Sequence, residues 1–100
     1  MKYGLNEKTL ASIINCLSNY SGIDSAVLYG SRAKGNYKDG SDIDITLKGS
    51  NLTLNDVLKL ENEIDDLLLP YKFDISIFKQ INNLDLIDHI NRIGIEIYSK

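Results

Sequence analysis

Hydrophobic residues spaced three or four positions apart predict three α-helices in this chain. The first covers residues 6–20, and the second begins at Thr53, which together with Asp56 resembles a capping box. This second helix is expected to end before Pro70, and a short third helix is expected over residues 84–90. The predicted buried side of the second helix consists of Leu54, Val57, Leu58, Ile64 and Leu68.

Alternating polar and apolar residues predict four strands between these helices. They are Ser25–Tyr29, residues 42–47, residues 72–78 and an edge strand over residues 95–98. Helices packed on one face of a small mixed sheet would bury the apolar stripes. We therefore expect an α/β (α+β) fold, and the 100 residues, 43% of them hydrophobic and 25% charged, form a single domain spanning 1–100.

Two aspartates share one face of the second strand. Side chains in a strand alternate faces, so Asp42 and Asp44 point to the same side. Asp74 holds the matching place in the third strand, and the three acids converge if these strands are neighbours. Such a cluster is costly without a cation, and carboxylate oxygens suit Mg²⁺ or Mn²⁺. The sequence therefore predicts Asp42, Asp44 and Asp74 as metal ligands.

A small polar turn precedes the aspartate pair and is suited to bind phosphate. Gly30 allows the backbone to approach an anion closely, and Ser31 adds a hydroxyl and an N–H. Arg32 and Lys34 add positive charge, and Ser41 lies in the turn that leads into the second strand. The expected ligand is a nucleoside triphosphate.

The complete pattern, Gly30-Ser31 followed by ten residues and then Asp42-Ile43-Asp44, resembles the signature of the DNA polymerase beta superfamily. More narrowly, it resembles the minimal nucleotidyltransferases of bacteria and archaea, which are single domains of about this length. The resemblance implies that the three aspartates hold the catalytic metals and that Gly30 and Ser31 contact the nucleotide phosphates. Many relatives have a second arginine where this chain has Lys34.

The resemblance also implies a function. We expect a Mg²⁺- or Mn²⁺-dependent nucleotidyltransferase that moves AMP from ATP to a hydroxyl of a partner protein, a HEPN-domain toxin encoded nearby, for which this chain is the antitoxin. Two alternatives stay open. One is a binding module that neutralises its partner by contact alone, and the other is transfer to a small acceptor of the aminoglycoside type.

Charge and composition restrict the partners further. A net charge of −3 and a pI near 5.0 argue against direct binding of nucleic acid, which normally needs a basic face. No apolar run of about 18 residues, signal peptide or lipidation motif is present, so we expect no membrane association and a cytoplasmic location. A homo-oligomer is compatible with the sequence.

Three further residues are of types that often act in functional sites. His89, the only histidine, lies on a polar helical stretch and is expected to be a surface side chain rather than a base. Cys16, the only cysteine, lies on an apolar helical face and is expected to be buried and inert. Tyr37 lies in the loop near the turn and could stack on a base.

Overall fold

The computed structural model describes all residues from 1 to 100 and contains four strands, four α-helices and one 3₁₀ turn. In chain order the elements are α1 (Glu7–Ser18), β1 (Ser25–Tyr29), α2 (Ser31–Lys34), β2 (Ile43–Lys48), α3 (Leu54–Asp65), β3 (Phe73–Ile77), the 3₁₀ turn Phe78–Gln80, α4 (Leu84–Ile93) and β4 (Ile95–Ser99). All four predicted strands and all three predicted longer helices are present. None of the helices combines the length and the hydrophobicity that a membrane crossing requires.

The strands form one mixed sheet in the order β3-β2-β1-β4. β1 is antiparallel to both β2 and β4, whereas β2 and β3 run parallel. The parallel pair is possible because α3 crosses over between the two strands. The predicted mixed sheet and the position of the last strand at an edge are confirmed.

The main core lies between one face of the sheet and the helices α1 and α3. It contains Ile43, Ile45 and Leu47 of β2, which are all fully buried. The fold class is confirmed with one difference, because α4 packs on the opposite face, where Val27 and Ile90 form a second small cluster. The cause is β1, a central strand that is apolar on both of its faces.

Helix α3 begins with the predicted capping box, in which Thr53 and Asp56 bond reciprocally. Its predicted buried side is partly wrong. Val57, Leu60 and Ile64 are buried at the spacing of one helical face, whereas Leu54, Leu58 and Leu68 are 66%, 50% and 88% exposed. Leu54 and Leu58 lie on the flank of that face. The helix also ends earlier than predicted, so Leu68 follows it with a positive φ of 55°.

Candidate active site

The candidate site lies on the face of the sheet that is opposite the main core. Asp44 of β2 and Asp74 of β3 are direct register partners on parallel neighbours. Adjacent strands lie about 4.8 Å apart, so these two carboxylates leave the sheet side by side. Both point away from the core because Ile43 and Ile45 point into it. The predicted convergence of the second and third strands is confirmed for this pair.

Asp42 is placed more loosely than the other two acids. It is exposed and directly precedes β2. Its charge nevertheless reaches the pair: the pKa of Asp44 is raised, first by burial, then by the charge of Asp74 and then by that of Asp42. No three acidic, histidine or cysteine side chains stand close enough together to form a metal-holding group by themselves. The arrangement is therefore an acidic pair with a third, exposed acid beside it rather than a closed cage.

The turn after β1 is built against Asp44. Gly30 has φ 76° and ψ −155°, a conformation that residues with a Cβ rarely adopt. A Cβ on this residue would collide with the Asp44 carboxylate, so glycine is required for two independent reasons. Tyr29, the residue before it, is the antiparallel register partner of Asp44. The turn and the acid pair thus form one continuous surface.

Arg32 is placed differently from its prediction as a phosphate contact. It is 2% exposed, and its guanidinium donates to the carbonyls of Tyr3, Asp39 and Ser41 at 2.9–3.3 Å. The rings of Tyr37 and Tyr71 flank it, with centroids at 5.4 and 4.9 Å. Its donors are directed at the protein backbone because the loop between α2 and β2 wraps around it.

The remaining predicted phosphate contacts divide into two groups. Ser31 is half-buried at the turn, and Lys34 is exposed at the end of α2. Ser41 instead stabilises the loop, because its hydroxyl accepts a hydrogen bond from the N–H of Lys38 and its carbonyl accepts one from the Arg32 guanidinium. The ring that could stack on a base, that of Tyr37, packs on Arg32. Gly30, Ser31 and Lys34 are therefore the predicted contacts that face the acid pair or solvent.

Sequence reasoning missed His89. Its Nε2 accepts the N–H of Gly30 at 3.0 Å, and its ring meets Tyr29 edge-on at a centroid distance of 6.2 Å. The signal was present, because position 89 falls on the helical face that Leu86, Ile90 and Ile93 define. A lone polar residue on such a face points toward the sheet.

Comparison with known proteins shows the family of the chain. The family model described as "Polymerase beta, Nucleotidyltransferase" matches residues 11–100. The chain belongs to the polymerase beta nucleotidyltransferase family. The resemblance seen in the sequence is thereby confirmed. No curated protein matches the chain.

Solved structures share the fold of this nucleotidyltransferase. A chain of a toxin–antitoxin complex with AMP-PNP is 20% identical, with 96% of this chain and 75% of that chain covered and a TM-score of 0.71. A chain of the complex between a tri-AMPylated HEPN toxin and an MNT antitoxin from Shewanella oneidensis is 17% identical, with 96% and 74% covered and a TM-score of 0.70. At these identities the likeness shows a common fold.

The site of this nucleotidyltransferase is an open surface. Two cavities, of about 450 and 230 Å³, lie at other places on the molecule. The larger is lined by residues of α3 and by Tyr71, Lys72 and Phe73, and the smaller lies along the free side of β3. Neither is lined by Asp42, Asp44 or Asp74. A molecule that reacts beside the acid pair is therefore not enclosed by this domain.

Proposed function

We propose that this nucleotidyltransferase transfers AMP from ATP to a hydroxyl of a partner protein with release of pyrophosphate, and that it serves as the antitoxin of a HEPN-domain toxin. The observation that carries the proposal is the register pair Asp44 and Asp74 beside the Gly30 turn. This arrangement places cation ligands next to a backbone that can approach phosphate. The proposed substrates and partner place the reaction in the cytoplasm.

The acids fit a hard divalent cation. Mg²⁺ commonly takes only one or two carboxylates and completes its shell with water and substrate phosphates, so a closed protein cage is not needed. Asp44 and Asp74 would hold Mg²⁺ or Mn²⁺, and Asp42 would join them from the end of the loop before β2. When bound, the cation neutralises charge on the phosphates during in-line displacement. The pKa of Asp44 is raised first by burial and then by the charges of Asp74 and Asp42, and a bound cation would offset both effects.

The chain's own residues would have separate roles in the reaction. Gly30 and Ser31 would approach the phosphates, and Lys34 would supply the free positive charge. Asp74 is exposed at the edge strand, where it can accept the proton of an incoming hydroxyl within hydrogen-bond reach. Arg32 and Ser41 would act indirectly, since they hold the loop that delivers Asp42.

The open site favours a large acceptor. A small acceptor such as an aminoglycoside would contact this domain on one side only, which gives little binding energy. A protein acceptor brings its own surface to cover the reacting groups. The structural neighbours, one with AMP-PNP and one with a tri-AMPylated HEPN toxin, support this choice. The net charge of −3 argues against a nucleic-acid acceptor, which normally needs a basic face.

The experiment is a transfer assay with the HEPN-domain protein encoded beside this chain. ATP labelled at the α-phosphate should label the partner when Mg²⁺ is present, whereas γ-labelled ATP should not. Asp74→Asn should abolish labelling. Asp39→Asn is the matched control, because Asp39 lies in the nearby loop and contributes only its backbone carbonyl to Arg32. An unlabelled partner that still binds the chain tightly would favour neutralisation by contact alone.

A further inference from the structure

We infer that His89 is a positioning residue that fixes the phosphate-binding turn from the opposite end of the chain. The predicted effect of His89 on nucleotide binding rests on the proposed function, whereas its hydrogen bond to Gly30 does not. The imidazole accepts the N–H of Gly30 and so holds the first peptide of the turn. That N–H is consequently withheld from phosphate, and the nucleotide is left to Ser31 and the amides that follow it.

The contact is specific in its geometry. Gly30 N–H donates to Nε2 of His89 at 3.0 Å, across 59 residues of sequence. Because Nε2 accepts, it carries no proton, and the ring proton of the neutral imidazole lies on Nδ1. The same contact argues against His89 as a general base, since the Nε2 lone pair is already used.

The ring is held in place on the sheet side of α4. His89 is half-buried and meets Tyr29 edge-on, with ring planes at 76°. The next residue, Ile90, is 2% exposed and packs with Val27 and Tyr29. Helix α4 is thus anchored on β1 next to the turn that β1 delivers. An anchored ring loses little conformational freedom when it accepts the hydrogen bond.

Gly30 is held at its carbonyl, which accepts the Lys34 N–H at 3.0 Å, and His89 restrains the peptide on its N–H side. The residue occupies a region of φ and ψ that is open to glycine, which is also the most flexible residue in the unfolded chain. The Asp44 carboxylate lies against its Cα on one side, and His89 holds its N–H on another. Removal of the imidazole would leave only the bond at the Gly30 carbonyl and free the Tyr29–Gly30 peptide to rotate, which would loosen the contact of Gly30 with Asp44 and disturb the Ser31 amide that follows it.

The test compares three variants of the full chain: His89→Leu, His89→Gln, whose Oε1 can still accept a hydrogen bond, and Asn91→Ala as a control on the exposed side of α4. His89→Leu should lower kcat/KM for ATP by roughly 10-fold or more, chiefly by raising KM, because residues that support a ligand site typically have effects of this size. His89→Gln should recover most of this loss. The control should match the wild type.

A second readout needs no activity. In the wild-type protein, NMR should show a nitrogen–nitrogen coupling across the hydrogen bond from Gly30 to His89, and the Gly30 amide shift should move in His89→Leu but not in Asn91→Ala. If the coupling is absent from the wild-type protein, the inference is overturned, whether or not His89→Leu folds. If the coupling is present but no transfer occurs in any protein, His89 positions the turn and the proposed function fails instead.

Discussion

Asp44 and Asp74 stand directly opposite each other on two parallel strands, the only parallel pair in the sheet. Their carboxylates are neighbours because the backbone register makes them so, not because a flexible loop brings them together. The geometry of the pair is therefore as rigid as the sheet, which is how catalytic groups are best held.

The pair should destabilise the free protein at neutral pH. The pKa of Asp44 in the folded state lies above its ordinary value of about 3.9, so the folded protein holds this proton more tightly than the unfolded chain. The protonated Asp44 carboxyl therefore stabilises the folded protein at low pH, and this contribution to the free energy of unfolding is lost as pH rises through the raised pKa. The neutral side chain of Asp44→Asn avoids this loss.

We therefore expect Asp44→Asn to raise the melting temperature in chelator at pH 7 by a few degrees, corresponding to about 1 kcal/mol. The gain should shrink toward zero below about pH 4. Adding Mg²⁺ and ATP should stabilise the wild type more than the variant. Thermal melts across pH, with and without the cation, measure all three effects. A variant that is less stable than the wild type at pH 7 in chelator would contradict the assigned environment of Asp44.

Alanine substitutions at Gly40, Gly35 and Gly30 should lower the free energy of unfolding by increasing amounts. Gly40 has no positive φ and has open space at its Cβ position, so Gly40→Ala should be nearly neutral. Gly35 has φ 95° but open space, so Gly35→Ala should cost about 1–2 kcal/mol from backbone strain alone. Gly30→Ala should cost more and abolish transfer, because the φ and ψ of Gly30 lie in a region nearly confined to glycine and the new Cβ would also meet Asp44. Denaturant unfolding gives the three values, and an equal cost at Gly30 and Gly35 would contradict this description of the Gly30 turn.

Substitution of Arg32 should lower stability, whereas substitution of Lys34 should weaken nucleotide binding. Arg32→Leu leaves the carbonyls of Tyr3 and Ser41 without their donor, and we expect a loss of roughly 2–4 kcal/mol in the free energy of unfolding. Lys34→Gln, on an exposed side chain, should leave stability within about 0.5 kcal/mol but raise KM for ATP. Denaturant unfolding and steady-state kinetics of both variants check this. A stable Arg32→Leu with weakened ATP binding would restore the phosphate role for Arg32.

Cys16 should be inert in the folded protein, as the sequence suggested. It is 3% exposed, and burial together with the neighbouring Glu63 carboxylate raises the pKa of the thiol to about 11. At pH 8 the thiolate is therefore scarce as well as inaccessible. A disulfide reagent should label the protein only at the rate at which the native structure opens, and at once in denaturant. Fast labelling of the native protein would be inconsistent with this core.

Local patterns were sufficient to predict much of this molecule. Alternation identified β2 and β3, and with them the shared face of Asp44 and Asp74. The Gly30-Ser31 turn lies close in sequence to the aspartates, so its spacing carried the family signature. These features depend on strand periodicity and short-range geometry, which a sequence displays directly.

Other features depend on which elements meet, and they were not predicted. Arg32 was interpreted as a ligand contact because a charge beside a glycine turn normally faces solvent, whereas here a loop closes over it. His89 reaches Gly30 only because α4 packs on the sheet face opposite the other long helices. Leu54 and Leu58 were placed in the core because hydrophobicity alone does not say how far a buried stripe extends around a helix.

The most direct test of catalysis against mere binding is the intact mass of the proposed partner, a HEPN-domain protein, purified from cells that also express this chain. Our account predicts that the partner gains one or more AMP groups with the wild type, and none with Asp44→Asn or Asp74→Asn although both variants fold. A partner of unmodified mass that is nevertheless fully neutralised by all three proteins would contradict it.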